Sequence, residues 1–300
     1  MKVKQLLKLY EQGYRDFSGV ELTGADLTGV MLISVNLTGA NLMGANLSRA
    51  FLTKSNLSNA ILNWADLSYA KMSETQWQNA DLTKANLTGA FMVKSQLVNA
   101  KLSGANLACT NLRSANLLGA NLCGTKLKKV NLRQANLNQV NFNWANLSGA
   151  RLTGAQLEQI ALTDVNLSQT FLIDVDLREA DLAKINLSGA RLNHSNLAGA
   201  NLAGANLENS YIIRANLIGA NLSQANLSGA TLKEANLTEA DLTQADLTRA
   251  NLSCANLNQA ILNQAIMTNT KLDQALLTDT ILSPQVAELS LVKKVSLIAS

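Results

Sequence analysis

The chain repeats with a period of five, and that period excludes most folds. From Phe17 to Leu282 every fifth residue is large and apolar: 54 positions, 47 of them Leu. The exceptions are Phe17, Met72, Trp77, Met92, Phe142, Ile212 and Met267, and no insertion or deletion breaks the phase. Two residues before each of these stands a small or β-branched residue, Ala in 34 of the 53 places from 20 to 280 and Val, Ile, Ser or Thr elsewhere, as at Val130, Ile160, Ser195 and Thr125. Between the two stands Asn or Asp in 31 of 53 cases. Sixteen of the seventeen glycines fall two residues after the large apolar residue, Gly13 being the exception. Ala40-Asn41-Leu42-Met43-Gly44 and Ala225-Asn226-Leu227-Ser228-Gly229 are typical stretches.

No regular helix or flat strand accommodates this pattern. An α-helix turns ~100° per residue, so every fifth Leu would advance by ~140° and no apolar face would form. A flat strand has period two, so successive leucines would switch sides. The two inward positions lie two apart, as in a short extended segment. The Gly-rich position then turns the chain, because Gly adopts positive φ readily. Each unit of five is thus one side and one corner, and four sides close a square coil of twenty residues.

The Ala-Asn/Asp-Leu-x-x pattern resembles the pentapeptide-repeat family over about nine-tenths of the chain. The resemblance implies an all-β solenoid, a right-handed quadrilateral parallel β-helix; the handedness comes from the resemblance alone. The 266 residues from 17 to 282 give roughly 13 coils, ~60 Å long at ~4.8 Å per coil. Leu and Ala packed along the axis leave no room for a ligand pocket, so function belongs on the outer faces or at the ends.

Composition agrees. Abundant Leu and Ala with a net charge of only +4 exclude a disordered chain. One Pro excludes a collagen-like chain, and one His disfavours a metalloenzyme or a histidine-pair enzyme. No catalytic residue, cofactor site or metal site is expected. Cys109, Cys123 and Cys254 are too few and too scattered for a disulfide framework or a zinc site and are read as reduced thiols. No apolar run reaches the ~18 residues of a membrane helix. The start, Met1 to Tyr14, lacks a continuous apolar signal core, so a cytoplasmic protein without membrane contact is expected.

The ends of a β-helix expose unpaired backbone and are usually covered. Val3, Leu6, Leu7, Tyr10 and Tyr14 form one helical stripe, which predicts a capping helix over 2–12 within an N-terminal segment 1–14. Some cyanobacterial members of the family begin similarly, with a Leu-rich segment before a motif like Arg15-Asp16-Phe17-Ser18-Gly19. The β-helix would occupy 15–282. Pro284 ends the repeat, and 283–300 are read as a second cap, a dimerisation segment or a tail, leaving monomer and dimer both open.

Residues twenty apart should stack in columns. The column through Met31, Phe51, Lys71, Phe91, Asn111, Asn131, Arg151, Phe171, Arg191 and Tyr211 alternates aromatics and cations where Asn or Asp prevails elsewhere. Its apolar and cationic members, Met31, Phe51, Lys71, Phe91, Arg151, Phe171, Arg191 and Tyr211, form a candidate protein-binding stripe; simple ladder stacking is the alternative. Residues 82–157 hold nine Lys or Arg and no acid, and Lys94, Arg113, Arg133 and Arg151 form a candidate basic patch. From Glu158 to Asp181 six acids face one Arg. Asp174, His194, Arg214 and Glu234 share a column, read as a surface charge ladder because no nucleophile or oxyanion site accompanies the His. The stretch from Lys71 to Gln78, with Met72 and Trp77 replacing two leucines, is where a local bulge is expected.

The functional expectation is a non-catalytic interaction or regulatory scaffold with an unidentified protein partner. Two alternatives stand beside it. Some family members mimic DNA and bind topoisomerases such as gyrase, but a mimic of phosphate charge should be acidic and this chain has a pI of about 8.9. The basic band 82–157 could instead bind anions or nucleic acid, with steep salt dependence; a nucleic-acid partner is disfavoured.

Overall fold

The computed structural model describes residues 2–282. It comprises one helix, α1 (Val3–Glu11), a ladder of parallel bridges, and two short paired strands, β1 (Ile261–Leu262) and β2 (Ile281–Leu282). The chain forms two compact units divided after Val165. In the first, bridges run from Asp16↔Asn36 to Asn141↔Ala161; in the second, from Asn166↔Asn186 to Ile261↔Ile281. Every bridge is parallel and joins residues twenty apart, so each unit is a β-solenoid with the expected register.

The five-residue unit satisfies all five of its backbone donors, which explains its sequence. In 40–44, Ala40 donates to Leu37 within the turn (3.0 Å), Asn41 to Val20 of the preceding coil (2.9 Å), and Leu42 and Gly44 to Ile61 and Asn63 of the next (2.8 and 2.9 Å). The fifth donor, Met43 N–H, points to no backbone acceptor and is taken by the Asn41 side-chain Oδ1 at 3.2 Å. That bond is why Asn or Asp recurs before the Leu: a short side-chain carbonyl reaches the N–H two residues on. Asn does more than Asp, since its Nδ2 also donates to the coil before, as Asn131 does to Asn111 (3.1 Å) and Asn216 to Asn196 (3.1 Å).

The turn needs a left-handed residue two places after every large apolar one. All 53 such residues from 19 to 279 have φ between 53° and 68°: sixteen Gly and 37 others. The expectation tied this conformation to glycine; here most of it is carried by Lys, Gln, Asn, Glu and even Trp64, Tyr69 and Trp144. None of the 37 is Val, Ile or Thr, because branching at Cβ makes this region least accessible. An ordinary residue costs ~1–2 kcal/mol there, and the ladder holds it in place.

Leucines and alanines fill the interior, most of them fully shielded from water, each Leu contributing ~1.5–3 kcal/mol. The expected bulge at 71–78 is absent: Lys71 and Gln76 bridge Phe91 and Gln96 in phase. Trp77 sits wholly inside, and its indole N–H donates to Thr75 Oγ1 at 2.6 Å, so the bulky ring brings no unpaired donor.

Helix α1 covers the first coil. Leu6 is fully buried, and the helix stops at Gly13, whose φ is 92°. Arg15 lies over the Tyr10 ring at 3.9 Å and donates to the Tyr10 and Tyr14 carbonyls. Tyr14 meets Phe17 edge-on at 5.4 Å, outside the helix and half-exposed. The tail reading of 283–300 lies outside the described residues.

Candidate interaction faces

In each coil the outward bridge residue stands between two turns, so one face is a bridge column with its flanking turn columns. The column through Met31 departs most from the repeat. Ten of its 13 positions from 31 to 271 lack Asn or Asp, against 12 of 40 in the other three columns. Each departure removes the side chain that would cap the next turn.

In the first unit the stripe is stacked as its register implied. Met31, Phe51, Lys71, Phe91, Asn111, Asn131 and Arg151 bridge in succession. Met31, Phe51 and Phe91 are exposed, and Lys71 Nζ lies 4.8 Å from the Phe91 ring centre. The missing cap at Met31 is replaced by the helix, since Ile33 N–H donates to Tyr10 Oη at 3.2 Å. The N–H groups of Thr53, Ser73 and Val93, which follow Phe51, Lys71 and Phe91, find no protein acceptor among the described residues.

In the second unit, Phe171, Arg191 and Tyr211 bridge in succession, with the Arg191 guanidinium 4.9 Å from the Phe171 ring and 5.7 Å from the Tyr211 ring. Here the cap missing after Tyr211 is supplied from the previous coil: Ile213 N–H donates to Asn193 Oδ1 at 3.2 Å. Phe171 is half-buried and Tyr211 exposed.

The basic patch belongs to the first unit. Arg113 and Arg133 occupy equivalent turns one coil apart, each capped by its own Asn, Asn111 at 3.2 Å and Asn131 at 3.3 Å. Lys94 N–H donates to the Arg113 carbonyl, which places the lysine beside the arginine, and Arg151 bridges Asn131. Lys94, Arg113 and Arg133 make no ion pair among the described residues.

The histidine column resolves into an ion pair. Arg214 Nε donates to Glu234 Oε2 at 2.6 Å, and Lys233 Nζ lies 3.5 Å from the same carboxylate. The Arg214 hydrogen bond holds the Glu234 carboxyl below its ordinary pKa. His194 is exposed. Asp176 is gripped by Arg178 through three hydrogen bonds of 2.6–3.0 Å, and that grip lowers its pKa. Among the described residues no three His, Cys, Asp or Glu gather as a metal site, and no helix is long and apolar enough to cross a membrane. Trp64 and Trp144 are exposed in left-handed turn positions, and the three cysteines are free.

The family model for pentapeptide repeats (8 copies) matches in overlapping segments from residue 16 to 279. The chain therefore belongs to the pentapeptide-repeat family, whose members fold as β-helices. Among solved structures it is similar to HetL, a pentapeptide repeat protein involved in heterocyst differentiation regulation from the cyanobacterium Nostoc sp. PCC 7120. The identity is 31%, over 93% of this chain and 96% of that one, with a TM-score of 0.19. It is also similar to alr5209 from Nostoc PCC 7120, 34% identical over 37% of this chain and 80% of that one, TM-score 0.21. A third is QnrB1, a plasmid-mediated fluoroquinolone resistance protein, 18% identical over 79% and 94%, TM-score 0.32. No curated protein matches. Membership rests on the repeat.

Proposed function

We propose that this chain is a non-catalytic scaffold that binds a protein partner through its outer faces, its repeat wound as a right-handed quadrilateral β-helix of about 13 coils. The observation that carries the reading is the Met31 column. It gives up the turn-capping Asn in ten of 13 positions and displays Met31, Phe51, Phe91 and Tyr211 to solvent with Lys71 and Arg191 against the rings. A sequence that abandons its own local optimum at the same register position in both units is under a requirement other than folding, and aromatics with Arg are what binding surfaces use. The buried Leu and Ala interior leaves the outside as the place of action. Mimicry of DNA would need an acidic surface, whereas 82–157 hold nine cations and no acid.

The test is capture of partners from an extract of the source organism by the wild type and by F91N/F171N/Y211N. Circular dichroism should be unchanged and capture lost. Unchanged capture by the folded triple variant would remove the stripe from the reading.

A further inference from the structure

The fold sorts the charges of the first unit in a way the linear sequence hides. The face centred on the Met31 column comprises 28–34, 48–54, 68–74, 88–94, 108–114, 128–134 and 148–154. These stretches contain nine Lys or Arg and one acid, Glu74. The rest of the first unit's coils, 15–165, holds four cations and seven acids. Arg49 and Lys54, which precede the acid-free band, belong to the face; Lys84, Lys101 and Lys126, which lie within the band, do not. The equivalent face of the second unit, from 168–174 to 268–274, carries five cations and four acids, with Arg214 and Lys233 paired to Glu234.

Resting on the scaffold reading above, we propose that this face of the first unit binds an acidic, partly apolar protein segment lying along the ladder. Three features select that partner. Charge comes first: Lys94, Arg113, Lys128, Lys129 and Arg133 have no carboxylate partner among the described residues, so an incoming acid does not have to displace one. Spacing comes second. The ladder offers one position per coil every ~4.8 Å, close to the ~5.4 Å at which an α-helix repeats one side. The six steps from 31 to 151 span ~29 Å, about the length of a 20-residue helix. The aromatics come third. Lys71 covers one side of the Phe91 ring. The Tyr69 ring lies against Gly89, so close that a Cβ there would fall 2.7 Å from its Cε1. Rings covered in this way offer their edges and one open side, which suits aliphatic side chains. Stacking a row of nucleobases needs open ring faces, so a single-stranded nucleic acid fits less well.

The experiment uses the full chain and a fluorescein-labelled amphipathic peptide of about 20 residues, with Glu and Leu on opposite sides of its helix, read by fluorescence anisotropy. The wild type should bind it, and affinity should fall as salt rises. R113E/R133E should weaken binding about tenfold or more, while R191E/R214E on the second unit should change it less than about twofold. F51N/F91N should weaken the Glu/Leu peptide but leave poly-glutamate binding unchanged. Circular dichroism and melting confirm that each variant is folded. The proposal falls if the peptide does not bind, if both charge-reversal variants lose equally, or if a labelled dT20 oligonucleotide binds as tightly as the peptide. Host-partner capture that survives R113E/R133E but is lost in F91N/F171N/Y211N would sink this face assignment alone and leave the scaffold reading standing.

Discussion

The two units share one backbone recipe and differ in what they hang on it. In the first, among the described residues, the face on the Met31 column leaves Lys94, Arg113 and Arg133 without an ion pair and leaves the turns after Phe51, Lys71 and Phe91 uncapped. In the second, Arg191 lies between Phe171 and Tyr211, Glu234 binds Arg214 and Lys233, and Asn193 caps the turn after Tyr211, while the N–H groups of Ile173, Asn193 and Lys233 find no protein acceptor among the described residues. The interior rows are alike in both. A solenoid thus separates two problems that a globular domain solves together. The inward rows set stability, and the outward columns are free to vary without moving the backbone.

The largest effects should therefore be indifferent to which unit is changed. Leu112 and Leu222 are both fully buried. Leu112→Ala and Leu222→Ala should each lose ~2–5 kcal/mol in urea unfolding; a loss below ~1 kcal/mol at either would mean the interiors are not equivalent. Next come the turns. Gly24 and Gly219 have φ of 63° and 62°, and an added Cβ at either would meet nothing within 4 Å. Gly24→Val and Gly219→Val isolate backbone strain and should each cost ~1–3 kcal/mol, with the Asn variants well below that. Valine variants as stable as the wild type would show that the left-handed turn is dispensable.

Two aromatic positions, Phe51 in the first unit and Tyr211 in the second, should part company at their caps. Phe51→Asn supplies an Oδ1 for the unpaired Thr53 N–H and should stabilise the protein by ~0.5–1.5 kcal/mol while weakening binding. Tyr211→Asn should gain little, because Ile213 N–H already has Asn193. If both variants gained equally, the uncapped turns of the first unit would not be a standing cost, and the argument that its stripe is retained for binding would lose its support.

The interior and register were legible in the sequence because a Leu every five residues and a small residue two before it admit one winding. The Asn columns could be listed from spacing, but the reason for Asn is the fifth N–H of each unit, which needs atoms to see. Two readings went astray for physical reasons. A bulge was expected between Lys71 and Gln78, where Met72 and Trp77 replace two leucines, yet Lys71 and Gln76 keep their bridges and Thr75 accepts the Trp77 indole N–H. Glycine looked like the turn residue, yet 37 of the 53 turns use another residue; the absence of Val, Ile and Thr there was the usable clue. The charge sorting escaped a scan along the chain because the face samples seven residues in every twenty, so Arg49 shares a face with Arg133 while Lys126, far closer to Arg133 in sequence, does not. The cap that Tyr10 provides for Ile33 had no sequence signature, since a helix had to dock before its hydroxyl could reach.

The smallest effect separates the units by pH. Asp26 in the first unit has its carboxyl held below the ordinary value of 3.8 by hydrogen bonds from the Thr28 hydroxyl and N–H. Glu234 in the second is lowered from 4.5 by Arg214. A depressed carboxyl stabilises the fold above its unfolded pKa and loses that contribution as pH falls through the folded one. Asp26→Asn keeps an oxygen in the same place for both Thr28 donors. It should melt like the wild type at pH 7 and rise relative to it in acid, as the wild type loses the contribution of its ionised Asp26 carboxyl. Glu234→Gln loses its charge attraction to Arg214 and should melt slightly lower at pH 7, converging with the wild type in acid. Identical pH profiles for the two variants would show that the first unit's turn caps and the second unit's ion pair draw on the same electrostatics, contrary to the geometry, in which one carboxylate accepts from the neutral donors of Thr28 and the other is paired with the Arg214 cation.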